Sequence, residues 1–116
     1  MLNTVNRVKK NKEFSYIYKK GKFYSCKYFL VHFVDTKLNV SKVGISVTKK
    51  IGNSVIRSKV KRVMSEVVRL LLPSLQVKNY IITLKPEVVE ADFNTLNYEF
   101  NKFITKYSLI KDTKDV

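Results

Sequence analysis

Between residues 54 and 72 the apolar side chains Ile56, Val60, Val63, Met64, Val67, Leu70 and Leu71 recur at helical spacing. At 100° per residue they fall within an arc of roughly 120°, so this stretch is read as a helix burying one side. Pro73 helps to end it. Such a helix commits the chain to a layered domain, because an apolar stripe needs a facing layer. The remaining surface of the helix is cationic. Arg57 and Lys61 lie roughly 100–140° from Ile56, and Arg62 and Arg69 near 220–240°. Lys59 adds a fifth cation, and Glu66 is the only acid in the helix. An ordinary solvated helix mixes signs to gain i,i+4 pairs. This one repels itself unless anions sit nearby.

The flanking segments supply the other layers. Asn11 is placed to cap a short helix carrying Phe14, Ile17 and Tyr18 at i, i+3 and i+4, with Gly21 as its stop. Residues 1–8 read as a basic N-terminal arm and 111–116 as a loose tail. Residues 22–35 read as extended, with Phe29, Val31 and Phe33 on one side and Tyr28, Leu30, His32 and Val34 on the other. Both sides are apolar, so cover on both faces is expected. A turn at 36–41 leads to a strand at 42–48, where Val43, Ile45 and Val47 alternate with Gly44, Ser46 and Thr48. A further strand is expected at 79–85. Phe93, Leu96, Phe100, Phe103, Ile104 and Tyr107 then mark a last amphipathic helix begun near Asp92.

Charge narrows the function. The chain has 116 residues and a formal net charge of +14. Eight cations between residues 7 and 27 face Glu13 alone, and seven between 49 and 69 face Glu66 alone. Charge placed in this way points to a polyanion, bound by phosphate attraction and counterion release. A solvated lysine-rich surface, with 19 of the 23 cations Lys, is the bland alternative, and an anionic membrane surface a second. One Cys and one His exclude a disulfide framework, a Cys-rich zinc site and a multi-histidine metal site, and no disulfide-linked partner is expected. Read on one strand, Cys26 and His32 would share a face about 20 Å apart, too far for a nucleophile and its base. No apolar run approaches the ~18 residues of a membrane span. The N-terminus shows no secretory h-region, so a cytoplasmic protein with no membrane partner is expected.

The connection Lys49-Lys50-Ile51-Gly52-Asn53-Ser54 joins the 42–48 strand to the cationic helix. Gly52 permits a tight or positive-φ turn, and Asn53 or Ser54 can cap. The N–H groups of a first helical turn favour anions, here beside two lysines. An ordinary strand–helix connection would look much the same without those lysines.

Taken together, KVGISVTKKIGNSVIRSKVKR (residues 42–62) resembles the signature of the bacterial ribonuclease P protein family: strand, K-K-x-G-N-[AS]-V, then R-N-R-x-K-R opening a helix. The likeness runs from the basic arm to the last helix. It implies that Lys49, Lys50, Gly52, Asn53, Arg57, Lys59, Lys61, Arg62 and Arg69 bind the catalytic RNA subunit. It also implies a cleft between the first helix and the sheet that holds the single-stranded 5′ leader of precursor tRNA. Arg7, Lys9, Lys10, Phe14, Tyr18 and His32 match that cleft, His32 replacing an aromatic. Two places depart from the pattern. The R-N-R reads Arg57-Ser58-Lys59, where Lys59 keeps charge without the planar fork that grips phosphate; and Ser65 stands where Arg is frequent.

The expected fold is therefore a single α+β domain over residues 1–116, with a roughly four-stranded sheet and the order αβββαβα. Resemblance adds a left-handed βαβ crossover, against the usual hand. The expected function is that of the protein subunit of ribonuclease P, which removes 5′ leaders from precursor tRNA. Scission is expected from the RNA subunit, with Mg²⁺ held through that RNA, no metal held by protein side chains alone and no catalytic residue in this chain. A structural ribosomal-RNA binder is the alternative, and would need no leader cleft. A protein-only nuclease would need a metal or acid–base site.

Overall fold

A computed structural model describes the backbone of residues 11–36 and 41–107, and their side chains from residue 15 onward. The expected arm with Arg7, Lys9 and Lys10, the tail 111–116 and the Phe14 side chain lie outside the described residues. Helix α1 (Asn11–Lys20) precedes strands β1 (Lys22–Ser25), β2 (Phe29–Asp35) and β3 (Lys42–Ser46). Helix α2 (Ser54–Leu71), strand β4 (Lys78–Leu84) and helix α3 (Phe93–Lys106) complete the αβββαβα order. Short 3-10 turns at Lys49–Ile51, Leu72–Ser74 and Pro86–Glu90 fill the connections.

The four strands form one sheet in the order β1-β2-β4-β3, antiparallel except for the β3–β4 pair. A parallel pair needs a crossover, and α2 provides it. Strand β4 is central, and Tyr80, Ile81, Ile82 and Leu84 are buried along it. That is the continuous apolar run of a strand covered on both faces.

The main core lies between the sheet and the α2–α3 layer. Phe29, Val31, Phe33, Val43, Tyr80, Ile82 and Leu84 meet Val60, Met64, Val67 and Val68 of α2 and Leu96, Phe100, Phe103 and Ile104 of α3. Among the described residues the opposite face carries α1 alone, through Ile17 on Ile81 and Val34. A ten-residue helix is about 15 Å long and ~10 Å across. Four strands ~4.8 Å apart, the longest ~23 Å, present more than that. Hence, among the described residues, this face is only partly covered, and sheet is left open beside α1.

Three expectations need correction. The 22–35 segment is two strands, because the polar step at Ser25–Lys27 allows a hairpin in which the Cys26 N–H donates to the Phe29 carbonyl at 2.9 Å. Cys26 and His32 therefore do not share a strand or a face: Cys26 packs on the main core, and His32 lies on the α1 side. Burial pushes the Cys26 thiol up, leaving it protonated. The buried side of α2 is also rotated by about 70° from the expected stripe. Ser65 and Val68 are buried, whereas Ile56 and Leu70 are 38% and 54% exposed. Helix α2 packs on α3 as well as on the sheet, so its burial follows two neighbours rather than one apolar stripe.

Candidate nucleic-acid interface

Two surfaces carry the residues singled out by sequence. The first is the β3–α2 connection and the open side of α2. Ile51 is buried and anchors the 3-10 turn, leaving Lys49 and Lys50 exposed. Gly52 follows at φ 153°, a conformation L side chains rarely adopt, and a Cβ there would meet the Ile56 side chain at 3.1 Å. The Asn53 Oδ1 accepts from the Ile56 N–H at 3.0 Å, so of Asn53 and Ser54 it is Asn53 that caps the helix. Such a cap contributes ~1 kcal/mol and fixes the direction in which the basic helix leaves the sheet.

From that start Lys59, Lys61, Arg62 and Arg69 are exposed. Arg69 grips Glu66 through Nε at 3.1 and 3.3 Å and Nη2 at 2.8 Å. That hydrogen-bonded pairing holds the Glu66 carboxyl below its ordinary range and raises the Arg69 guanidinium. Arg57 is different. The rotation of α2 brings it within the buried arc at the first turns of the helix, where its Nε is enclosed without a hydrogen-bond partner among the described residues. An enclosed cationic donor with no acceptor is destabilising in isolation, and an added phosphate oxygen near the guanidinium would offset this. Ser65, at the place where the resemblance has Arg, is 3% exposed.

The second surface is the cleft beside α1. Gly21 closes the helix against β2, its N–H donating to the Ile17 carbonyl at 2.9 Å. Ile17 pins the helix to the sheet, so Tyr18 is not needed as the pin. Tyr18 is 42% exposed, with its hydroxyl 3.5 Å from Thr83 Oγ1 and its ring edge-on to His32 at 4.7 Å. The His32 Nδ1 is enclosed with no hydrogen-bond partner among the described residues, and burial lowers the imidazole pKa. At neutral pH it is an uncharged ring. Tyr18 and His32 are thus brought together, as the resemblance implies.

Phe23 was given no role by sequence. It is 61% exposed on β1, directly across from His32 in the ladder, with ring centroids 6.0 Å apart. The legible signal was weak: in Lys22-Phe23-Tyr24-Ser25 the alternation identifies one aromatic as outward, but not which surface it joins. Among the described residues no group of three or more His, Cys, Asp or Glu could hold a metal ion, and no helix is long and apolar enough to cross a membrane.

A small α+β domain with a basic helix leaving a lysine-flanked turn on one side of its sheet, and aromatic rings on the other, has the features of an RNA-binding protein. The ribonuclease P family model matches residues 2–108. The ribonuclease P protein component of Caldanaerobacter subterraneus subsp. tengcongensis is 34% identical over 113 residues, covering 97% of each chain. A Staphylococcus aureus ribonuclease P protein mutant with defective mRNA degradation activity superposes with a TM-score of 0.84, at 27% identity over 91% of each chain. The Thermotoga maritima ribonuclease P protein, in complex with 1-(4-fluorophenyl)-2-thiourea, gives 0.78 at 26% identity, covering 86% of this chain and 98% of that one. The chain belongs to the ribonuclease P protein family.

Proposed function

We infer that this chain acts as the protein subunit of a ribonuclease P, in which a catalytic RNA removes the 5′ leader from precursor tRNA. The observation that carries this reading is the strand–turn–helix of residues 42–62, which presents Lys49, Lys50, Lys59, Lys61 and Arg62 to solvent from one rigid start. These cations, with Arg57 and Arg69, bind phosphates of the RNA subunit. Gly52 and Asn53 set the turn that aims them.

The leader of precursor tRNA lies in the cleft, where Tyr18 and His32 offer ring faces and edges to unpaired bases. Stacking of this kind is worth ~1–3 kcal/mol per base and demands no particular sequence. Phe14 and the cations Arg7, Lys9 and Lys10, which match the family's leader-binding positions by resemblance, bind the same strand. A ribosomal-RNA binder would account for the basic helix but gives the aromatic cleft no task.

The chemistry of scission belongs to the RNA. Mg²⁺ supplies charge neutralisation and activates water when bound to RNA phosphates. The protein's residues orient the RNA and substrate and so raise affinity for both substrate and Mg²⁺. Its place of work is the cytoplasm.

The test is multiple-turnover cleavage of precursor tRNA by a bacterial ribonuclease P RNA at low Mg²⁺, with and without this protein. Strong stimulation with the correct mature 5′ end is expected. A folded protein that gives none, while the RNA alone is active at high Mg²⁺, would move the reading to ribosomal RNA.

A further inference from the structure

Phe23 lies beyond the cleft just described, on the outermost strand of the sheet. Its ring is exposed to water on the same face as His32, tilted 34° to the imidazole at 6.0 Å. With Tyr18, which meets His32 at 4.7 Å, it makes a row of three rings drawn from α1, β2 and β1. The row crosses the partly covered face from the helix to the sheet edge.

The strand under Phe23 is fixed. Its residues pair with β2 through the register Lys22↔Phe33 to Ser25↔Leu30, and the Phe23 carbonyl accepts from the Tyr107 hydroxyl at 3.0 Å. An exposed ring on a held backbone is pre-organised for a flat partner.

The neighbouring charge says what that partner is. Lys19 and Lys20 are exposed at the end of α1, three and four residues before Phe23, and Asp35 across the sheet is ion-paired with Lys78. An apolar protein surface docked here would have to desolvate those ammonium groups without pairing them. A single-stranded polyanion with flat bases satisfies ring and lysines together.

We propose that Phe23 is a further base-binding platform, which takes an unpaired nucleobase of the leader beyond the part held at Tyr18 and His32. This rests on the leader reading above. The spacing of the rings exceeds the ~3.4 Å rise of stacked nucleotides, so the bases are splayed from one another along the row. Each ring then serves its own base, and Phe23 is reached only by a leader long enough to cross the sheet.

The experiment measures binding of a precursor tRNA series, with leaders shortened one nucleotide at a time, to holoenzyme carrying wild-type protein, F23A, F23W or Y18A. F23A is expected to weaken long-leader substrates by roughly 5- to 150-fold, the range of one lost stack. It should leave the shortest leaders unaffected, so the two curves meet at one leader length. F23W should bind at least as well as wild type. Wild-type affinity of F23A for long leaders, or the same loss at every length, would overturn the proposal. If Y18A still loses affinity in that case, the leader reading stands and Phe23 alone falls. If Y18A and leader shortening change nothing either, the leader reading has failed and the proposal with it. Phe23 is exposed, so F23A should melt as wild type does, and a matched melting curve assigns any loss to the missing ring.

Discussion

The Tyr107 hydroxyl donates to the Phe23 carbonyl across 3.0 Å, so the residue that caps α3 holds the outer strand of the sheet. The Tyr107 ring also packs edge-on against Phe33 at 5.0 Å, within the aromatic cluster that includes Tyr24 and Phe103. One side chain therefore ties the main core to the strand that carries Phe23 on its other face. The two faces of the sheet have different work. The α2–α3 side supplies stability, and the α1 side leaves room for a ligand.

That room depends on how closely α1 approaches. A Cβ on Gly21 would sit 2.5 Å from the Phe33 carbonyl oxygen and 2.6 Å from that of Ile17, both backbone atoms. Gly21→Ala must therefore push α1 away from β2. The expected result is a loss of about 1–3 kcal/mol in urea unfolding, together with weaker binding of leader-bearing precursor tRNA. Unchanged stability would show that the turn relaxes without moving the helix.

Arg57 and Arg62 should separate stability from RNA binding. Arg57→Met keeps the packed stem and removes the enclosed, unpartnered Nε, so melting should be unchanged or higher while affinity for the RNA subunit falls. Arg62 is exposed, and Arg62→Ala should alter stability by less than ~0.5 kcal/mol. Its salt dependence of RNA binding should flatten by about one phosphate's worth, a slope change of ~0.9. An unchanged slope would remove Arg62 from the interface.

Glu66 is the acid of the basic helix, and it occupies Arg69. Glu66→Gln should release that guanidinium for phosphate and raise RNA affinity several-fold at low salt. The gain should vanish as salt screens exposed charge. Titration of binding against ionic strength reads both parts. A variant that binds more weakly at every salt concentration would mean that the pair itself shapes the interface.

His32 is the only histidine in the chain, and burial lowers its pKa below the ordinary 6.5. The unfolded chain then takes up the proton first as pH falls. The stability of the neutral, enclosed ring is fully present above about pH 6.5 and is lost progressively as pH drops toward the folded-state pKa. Melting temperature should decline between pH 7 and 5, and His32→Phe should flatten that decline. Equal slopes in both proteins would place the pH dependence elsewhere.

Much of this molecule was legible from residue order. The 3.6-residue spacing placed α2 and α3, the Gly21 stop ended α1, and Asn53 and Asp92 mark the helix starts they cap, by Oδ1 contacts to Ile56 and Thr95. These features are local, decided by residues within a few positions of one another, so sequence carries them directly. The basic side of α2 was legible for the same reason.

Other features depended on what each element meets across the fold. Which way α2 turns was settled by α3 and the sheet together, and that rotation exposed Ile56 and Leu70 and half-enclosed Arg57. The break into β1 and β2 sent Cys26 and His32 to opposite faces. The row Tyr18, His32, Phe23 joins residues from three elements, and its geometry exists only once a short helix covers that sheet face in part. Sequence determined the elements, their caps and their charge, because those follow from nearest neighbours along the chain. Tertiary structure decided which side chains were left facing water together, because burial is a property of the partner surface as much as of the residue.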